Sequence, residues 1–259
     1  MIDMLETTEM TREDLGIAGL VMYQPRKGYR FTVDAVLLGT LAPIKPGFKI
    51  ADFGCGSGIL LLLLKGREPM LSLTGIELEE ATAELARCNM EQNGISARII
   101  SGNAMDAAEL LSSEEKSSFD LIISNPPYYK VNECRLPEDK AMALAKTELA
   151  WDRNCFMEQA SLLLKTGGVL SVILPPKAID ELKEIGYKTG LVLAEVINIK
   201  KDDGSIFRKY AEFIKTDGPF CRDIFIKRDV LMDSEEYKGL LGIYNGAWTV
   251  SGGHSGGKS

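Results

Sequence analysis

The chain carries a single histidine, His254, set in a terminal SGGHSGGKS run whose glycine and serine content marks a flexible tail. That scarcity excludes Ser-His and Cys-His nucleophilic mechanisms and multi-histidine metal centres. Cysteine is sparse too: Cys55, Cys88, Cys134, Cys155 and Cys221 form an odd set with no CxxC spacing, which fits neither a disulfide framework nor a clustered zinc site. No metal is expected. The longest purely aliphatic run, Ile59 to Leu64, falls far short of the roughly 18 to 20 residues that cross a bilayer. The opening MIDMLETTEMTRED is acidic and lacks a signal-peptide core, so a reducing, cytoplasmic setting without membrane contact is the expectation. Net positive charge is missing as well: 30 Lys and Arg stand against 37 Asp and Glu, giving −7. Any attraction to a polyanion must then come from a local patch.

What is present is an ordinary globular composition, 45% hydrophobic and 26% charged over 259 residues, enough for one large domain or for one domain plus a small appendage. Apolar strand-like runs at Phe48–Phe53, Ser72–Leu78, Ala97–Ser101, Phe119–Ser124 and Gly168–Leu174 alternate with helical stretches at Ile59–Lys65, Glu79–Asn93, Ala104–Leu111 and Asp152–Leu164. Such alternation predicts a parallel α/β sheet. In Glu79–Asn93 the residues Ala81, Leu85 and Cys88 share a face, and Asn93-Gly94 reads as a stop. Further on, Ala194–Lys200 and Lys209–Lys215 flank the Asp203-Gly204 turn signal and predict an antiparallel pair closing the sheet. CRDIFIKRD suggests one more short strand and Ser234–Leu241 a helix. Upstream, Leu20–Tyr23 and Tyr29–Phe31 flank a turn-like QPRKG, and Thr32 is a candidate cap for a helix over Val33–Leu41. The expected division is an N-terminal hairpin and helix over 1–47, a main domain over 48–216, an extension over 217–250 and a tail over 251–259.

Four motifs carry chemistry. KIADFGCGSGILL is a buried-strand pattern that runs through Gly54, Gly56 and Gly58 into a helix, and glycines permit tight turning and close approach to a ligand. A dinucleotide GxGxxG would place its third glycine at position 59, which is Ile59, so the spacing disfavours a nicotinamide oxidoreductase. The same glycines also serve a tight turn with no ligand. Glu77 ends the next strand 23 residues after Gly54, where a carboxylate can accept two ribose hydroxyls or simply begin a helix. Ser101-Gly102-Asn103-Ala104 ends a third strand, where Asn103 and the Ala104 N–H can meet an adenine edge or cap a helix. Asn125-Pro126-Pro127-Tyr128 follows the strand FDLIIS; its prolines fix the backbone and hold two acceptors, the Asn125 side chain and the Pro126 carbonyl. Two fixed acceptors can orient an amino group for attack without a histidine base, and Tyr128 offers a face for stacking worth about 1–3 kcal/mol. The carboxyl ends of parallel strands share one edge, so the four motifs converge on one crevice.

These residues resemble a class I S-adenosylmethionine-dependent methyltransferase, with DFGCGSG as glycine motif, Glu77 as ribose acid and NPPY as the amino-methyltransferase motif, over roughly Gly28 to Lys215. The resemblance implies a Rossmann-like, mostly parallel seven-stranded sheet with a closing antiparallel strand and helices on both faces. It implies S-adenosylmethionine as cofactor, with Asp52 at its amino group, Gly54, Cys55, Gly56 and Gly58 at its methionine part, Glu77 and Leu78 at its ribose end, Asn103 and Ala104 at its adenine, and Asn125 beside the methyl. Many members carry an aspartate where Asn103 stands. The run QPRKGYRFTVDAVLLGTLA is similar to the bacterial tRNA1(Val) adenine-37 N6-methyltransferase family, which implies tRNA as partner and catalysis by Asn125, Pro126, Pro127 and Tyr128. NPPY is shared with enzymes that methylate a release-factor glutamine, rRNA guanine N2 or DNA adenine; the 47 residues before the first core strand are too few for the helical substrate domain of the first group. A non-catalytic RNA-interaction protein is a further alternative. Arg26, Lys27, Arg30 and Lys130 are the candidate RNA contacts, with Lys200, Lys201, Arg208 and Lys209 along the late hairpin.

Overall fold

The computed structural model describes residues 9–27, 30–126, 152–217 and 226–242. Its main sheet has eight strands: β3 (Lys49–Phe53), β4 (Ser72–Glu77), β5 (Arg98–Ser101), β6 (Phe119–Ser124), β7 (Leu164–Leu174), β8 (Leu191–Lys200), β9 (Ile206–Lys215) and β10 (Ile226–Leu231). They lie in the order β10-β8-β9-β7-β6-β3-β4-β5, and a separate hairpin pairs β1 (Met10–Asp14) with β2 (Val21–Pro25). Pairing is parallel from β5 through β7, β9 runs antiparallel to β7 and β8, and β10 returns parallel to β8. The sheet is the expected one, with the strand suggested by CRDIFIKRD as its eighth member. β3 has β4 on one side and β6 on the other, so the strand order reverses there. Ligand crevices open at such a reversal, outside the carboxyl ends of the strands.

Helices α1 (Val33–Leu41), α2 (Ile59–Arg67), α3 (Glu80–Gln92), α4 (Ala107–Leu110), α5 (Arg153–Leu163), α6 (Pro176–Thr189) and α7 (Glu235–Gly242) cover the sheet. Ile59 to Leu64 of α2 are all buried, because the helix packs beneath α1 as well as on the strands. Helix α6 was not anticipated, although Pro176 in its first turn and a left-handed Gly190 (φ 80°) at its end are the expected punctuation.

Several expectations need correction. Thr32 occupies the cap position of α1, but its side chain makes no capping hydrogen bond. The predicted helix Ala104–Leu111 is a 3₁₀ turn, Ala104–Asp106, leading into the short α4, because the Asn103 side chain caps it by accepting from the Met105 N–H at 3.0 Å. β2 pairs with β1 upstream rather than with a strand after QPRKG, and Arg30 and Phe31 are irregular. Ala81 is exposed, and Leu85 and Cys88 pack on Met10 and Tyr23 of the hairpin, while Ala86 and Met90 join the main core. α3 therefore has two apolar faces, one for the sheet and one for the hairpin.

Candidate active site

At the carboxyl edge, β3 runs into the glycine loop. Gly54, Gly56 and Gly58 all have positive φ (76°, 55° and 91°), which L side chains rarely adopt. The Ile76 carbonyl accepts from both the Gly54 N–H (2.8 Å) and the Cys55 N–H (3.0 Å), and the Cys55 carbonyl accepts from the Gly58 N–H at 2.9 Å. Glu77 Oε2 accepts from the Gly56 N–H at 2.9 Å and its Oε1 from the Glu79 N–H at 3.0 Å, so this carboxylate holds loop and helix start together. A Cβ on Gly54 would meet nothing within 4 Å, whereas one on Gly58 would lie 2.8 Å from Met90 Cε. The loop thus rests against α3 on one side and is open at Gly54.

The Cys55 side chain turns into the core, where burial first, then the Asp52 and Glu77 charges, push its thiol well above the usual range. It is no nucleophile. A Cβ on Gly75 would lie 2.7 Å from Cys55 Sγ, so this strand glycine, absent from the expected site, makes room for the loop. Asp52 is fully buried, and neither carboxylate oxygen has a hydrogen-bond partner among the described residues. Burial, then the neighbouring Glu77, hold its carboxyl well above the usual range. On β6, which pairs Ile123 with Asp52, Ser124 Oγ donates to the Phe53 carbonyl at 2.6 Å and pins the two strand ends together. Asn125 follows, its Oδ1 buried and likewise without a partner, and Pro126 is buried beside it. Leu78 stands 52% exposed next to Glu77. Pro127, Tyr128 and Lys130 lie outside the described residues.

Residues 33–178 match the methyltransferase small domain family. The chain belongs to that family. It has the class I methyltransferase fold, and its cofactor is S-adenosylmethionine. Among relatives, a tRNA1(Val) (adenine(37)-N6)-methyltransferase of Cronobacter sakazakii is 27% identical over 85% of this chain and 89% of its own. One of Porphyromonas gingivalis is 32% identical over 66% of this chain and 68% of its own. A predicted O-methyltransferase from Agrobacterium tumefaciens shares the fold with a TM-score of 0.62 at 19% identity, covering 82% of this chain and 96% of that one. The T. thermophilus 16S rRNA N2 methyltransferase, solved with AdoMet and guanosine, aligns with a TM-score of 0.55 at 19% identity over 81% of this chain and 51% of its own.

The methyltransferase's cations are less available than the sequence suggested. Arg30 is committed to the hairpin, donating to Thr11 Oγ1 (3.0 Å) and the Pro25 carbonyl (3.1 Å) and pairing with Glu13 at 2.7 Å. Lys200 pairs with Asp229 (2.6 Å), Arg208 with the buried Asp34 (2.8 Å) and Lys209 with Asp180 (2.7 Å). Arg26 and Lys27 are exposed. Sequence reasoning also missed Asn89, a buried residue on α3 whose Nδ2 donates to the Ser57 carbonyl inside the glycine loop at 2.9 Å. An asparagine among apolar neighbours in mid-helix was the available signal.

Proposed function

We propose that this methyltransferase modifies the exocyclic N6 of an adenine in tRNA, nucleotide 37 of tRNA1(Val) by likeness to the relatives that carry that name. Two buried acceptors without partners, Asp52 at the end of β3 and Asn125 just past the neighbouring β6, carry this assignment. A carboxylate in so dry a place is costly unless a cation offsets it. The ammonium of S-adenosylmethionine is such a cation, so Asp52 and the open face at Gly54 fit its methionine end. Glu77 and Leu78 fit the ribose end, and Asn103 and the Ala104 N–H fit the adenine. Cys55, Gly56 and Gly58 contribute shape, since the Cys55, Gly56 and Gly58 amides are bonded within the protein. When bound, the cofactor supplies an electrophilic methyl group on a cationic sulfur.

Asn125 Oδ1 and the Pro126 carbonyl accept the two N–H bonds of the target amino group. This turns the nitrogen lone pair out of the ring's delocalisation and aims it along one line. Tyr128 is the residue assigned to stack the base, with Pro127 beside it in the motif. An adenine in a single-stranded loop is cheap to unstack into such a pocket. Arg26 and Lys27 supply phosphate contacts where β2 leaves the hairpin, and Lys130 and Arg30 are secondary.

The test is transfer of labelled methyl from S-adenosylmethionine to undermodified tRNA, rRNA and release factor in parallel, followed by nucleoside analysis. Label is expected as N6-methyladenosine in tRNA. Asn125→Ala should lower kcat by about 100-fold or more, the scale of a lost transition-state donor or acceptor, with cofactor affinity shifted far less. Label confined to release factor, or unchanged turnover in the variant, would overturn the reading.

A further inference from the structure

We propose that Asn89 is a positioning residue that joins the glycine loop and the N-terminal hairpin into one unit. Its carboxamide is fully buried and makes three hydrogen bonds: Oδ1 accepts from the Tyr23 N–H at 2.8 Å, and Nδ2 donates to the Tyr23 carbonyl and the Ser57 carbonyl, each at 2.9 Å. One turn later Asn93 repeats the strand contact without the loop contact. Its Oδ1 accepts from the Val21 N–H (2.8 Å), and its Nδ2 donates to the Val21 and Asn89 carbonyls, each at 2.7 Å. Four helical residues rise about 6 Å and two strand residues about 6.6 Å, so two amides one turn apart match alternate peptides of β2.

Asparagine is a poor helix-interior residue and a costly one to bury, so local stability alone favours an apolar side chain at 89. The three bonds give it its reason. They also set direction: Val21 meets Asn93 and Tyr23 meets Asn89, so β2 runs toward the start of α3, which follows Glu77 at the carboxyl edge. Arg26 and Lys27 leave the hairpin at that level. A shift of the loop at Ser57 is thereby transmitted to the segment bearing both cations.

This inference rests on the glycine loop being the cofactor site, and the experiment separates the two. Cofactor affinity of the full chain is measured by calorimetric titration with S-adenosylmethionine for Asn89→Ala, Asn93→Ala and Gly54→Val, alongside thermal melting. Both alanine variants lose bonds to β2, but only Asn89→Ala releases Ser57. Asn89→Ala should weaken cofactor binding at least 10-fold, and Asn93→Ala less than threefold at a comparable drop in melting temperature. If alanine at 89 leaves too little folded protein to titrate, Asn89→Ser, which retains one donor, is compared with Asn93→Ser for the same ordering. Equal losses at 89 and 93, or none at 89, would overturn the coupling. Gly54→Val places a side chain in the open face of the loop and should abolish binding; retained affinity there would instead overturn the loop as cofactor site.

Discussion

Asp52 is the residue whose state depends most on its surroundings. Burial and the Glu77 charge raise its carboxyl, so the folded chain holds a proton that the unfolded chain has already released. Its contribution to stability therefore falls as pH rises from the ordinary aspartate range toward the raised value, and is level above it. Asp52→Asn removes that dependence. Its melting temperature should fall less than that of the parent as pH rises above the ordinary aspartate range, the sign expected for a carboxyl raised by burial. Cofactor affinity should drop at least 10-fold in the same variant as the ammonium loses its counter-ion. Identical pH profiles for parent and variant would mean that Asp52 is ionised in the folded chain. At this scale the placement of the candidate residues was legible in the sequence: Asp52 and Glu77 lie at the carboxyl ends of their strands, and Asn103 and Asn125 just past theirs. Their occupancy was not legible, because whether Asn103 caps a turn or Asp52 lacks a partner is decided by residues distant in sequence.

Between elements, the tightest dependence is that of the glycine loop on β4. The loop takes its backbone bonds from Ile76 and Glu77, and its Cys55 side chain fits only because Gly75 has none. Gly75→Ala should destabilise the fold by about 1–3 kcal/mol, the usual cost of overpacking. The added methyl would also meet Ile99 Cδ1 and Leu61 Cδ1 at 3.0 Å, but these are ends of flexible side chains. Adding Cys55→Ala should recover most of the loss, and urea unfolding of the two single variants and the double variant measures the coupling. Additive effects would place the strain elsewhere. The central parallel strands were readable because their apolar stretches are buried, as Leu121–Ile123 of β6 are, whereas the edge strand β5 is only partly covered. The amphipathic pattern of α3 misled for the opposite reason: a helix packed between sheet and hairpin has no single polar face, and only the tertiary structure shows which stripe meets which layer.

For the molecule as a whole, the net charge of −7 and the pairing of Lys200, Arg208 and Lys209 with carboxylates leave little diffuse attraction for RNA. Binding through a few cations predicts a shallow salt dependence, about −0.7 in log K per log salt for each single-strand phosphate contacted. On the proposed tRNA substrate, the double substitution Arg26→Glu and Lys27→Glu should raise KM at least 10-fold at low salt, with cofactor affinity unchanged. The penalty should shrink as ionic strength shortens the reach of these charges. An equal KM in the variant would move the phosphate contacts away from the hairpin.

Asn89 in α3 and Asn93 at its C-terminal cap do for β2 what a neighbouring strand would do, and this fixes where the chain tolerates a change in length. A one-residue slip in a strand sends every peptide group to the opposite edge. An insertion between Val21 and Tyr23 would thus leave at most one of the two amide pairs in place, turning toward β1 the groups beyond it that now face the helix. The Leu15–Leu20 connection carries no such constraint from α3, so length variation in the hairpin should be confined to its loop.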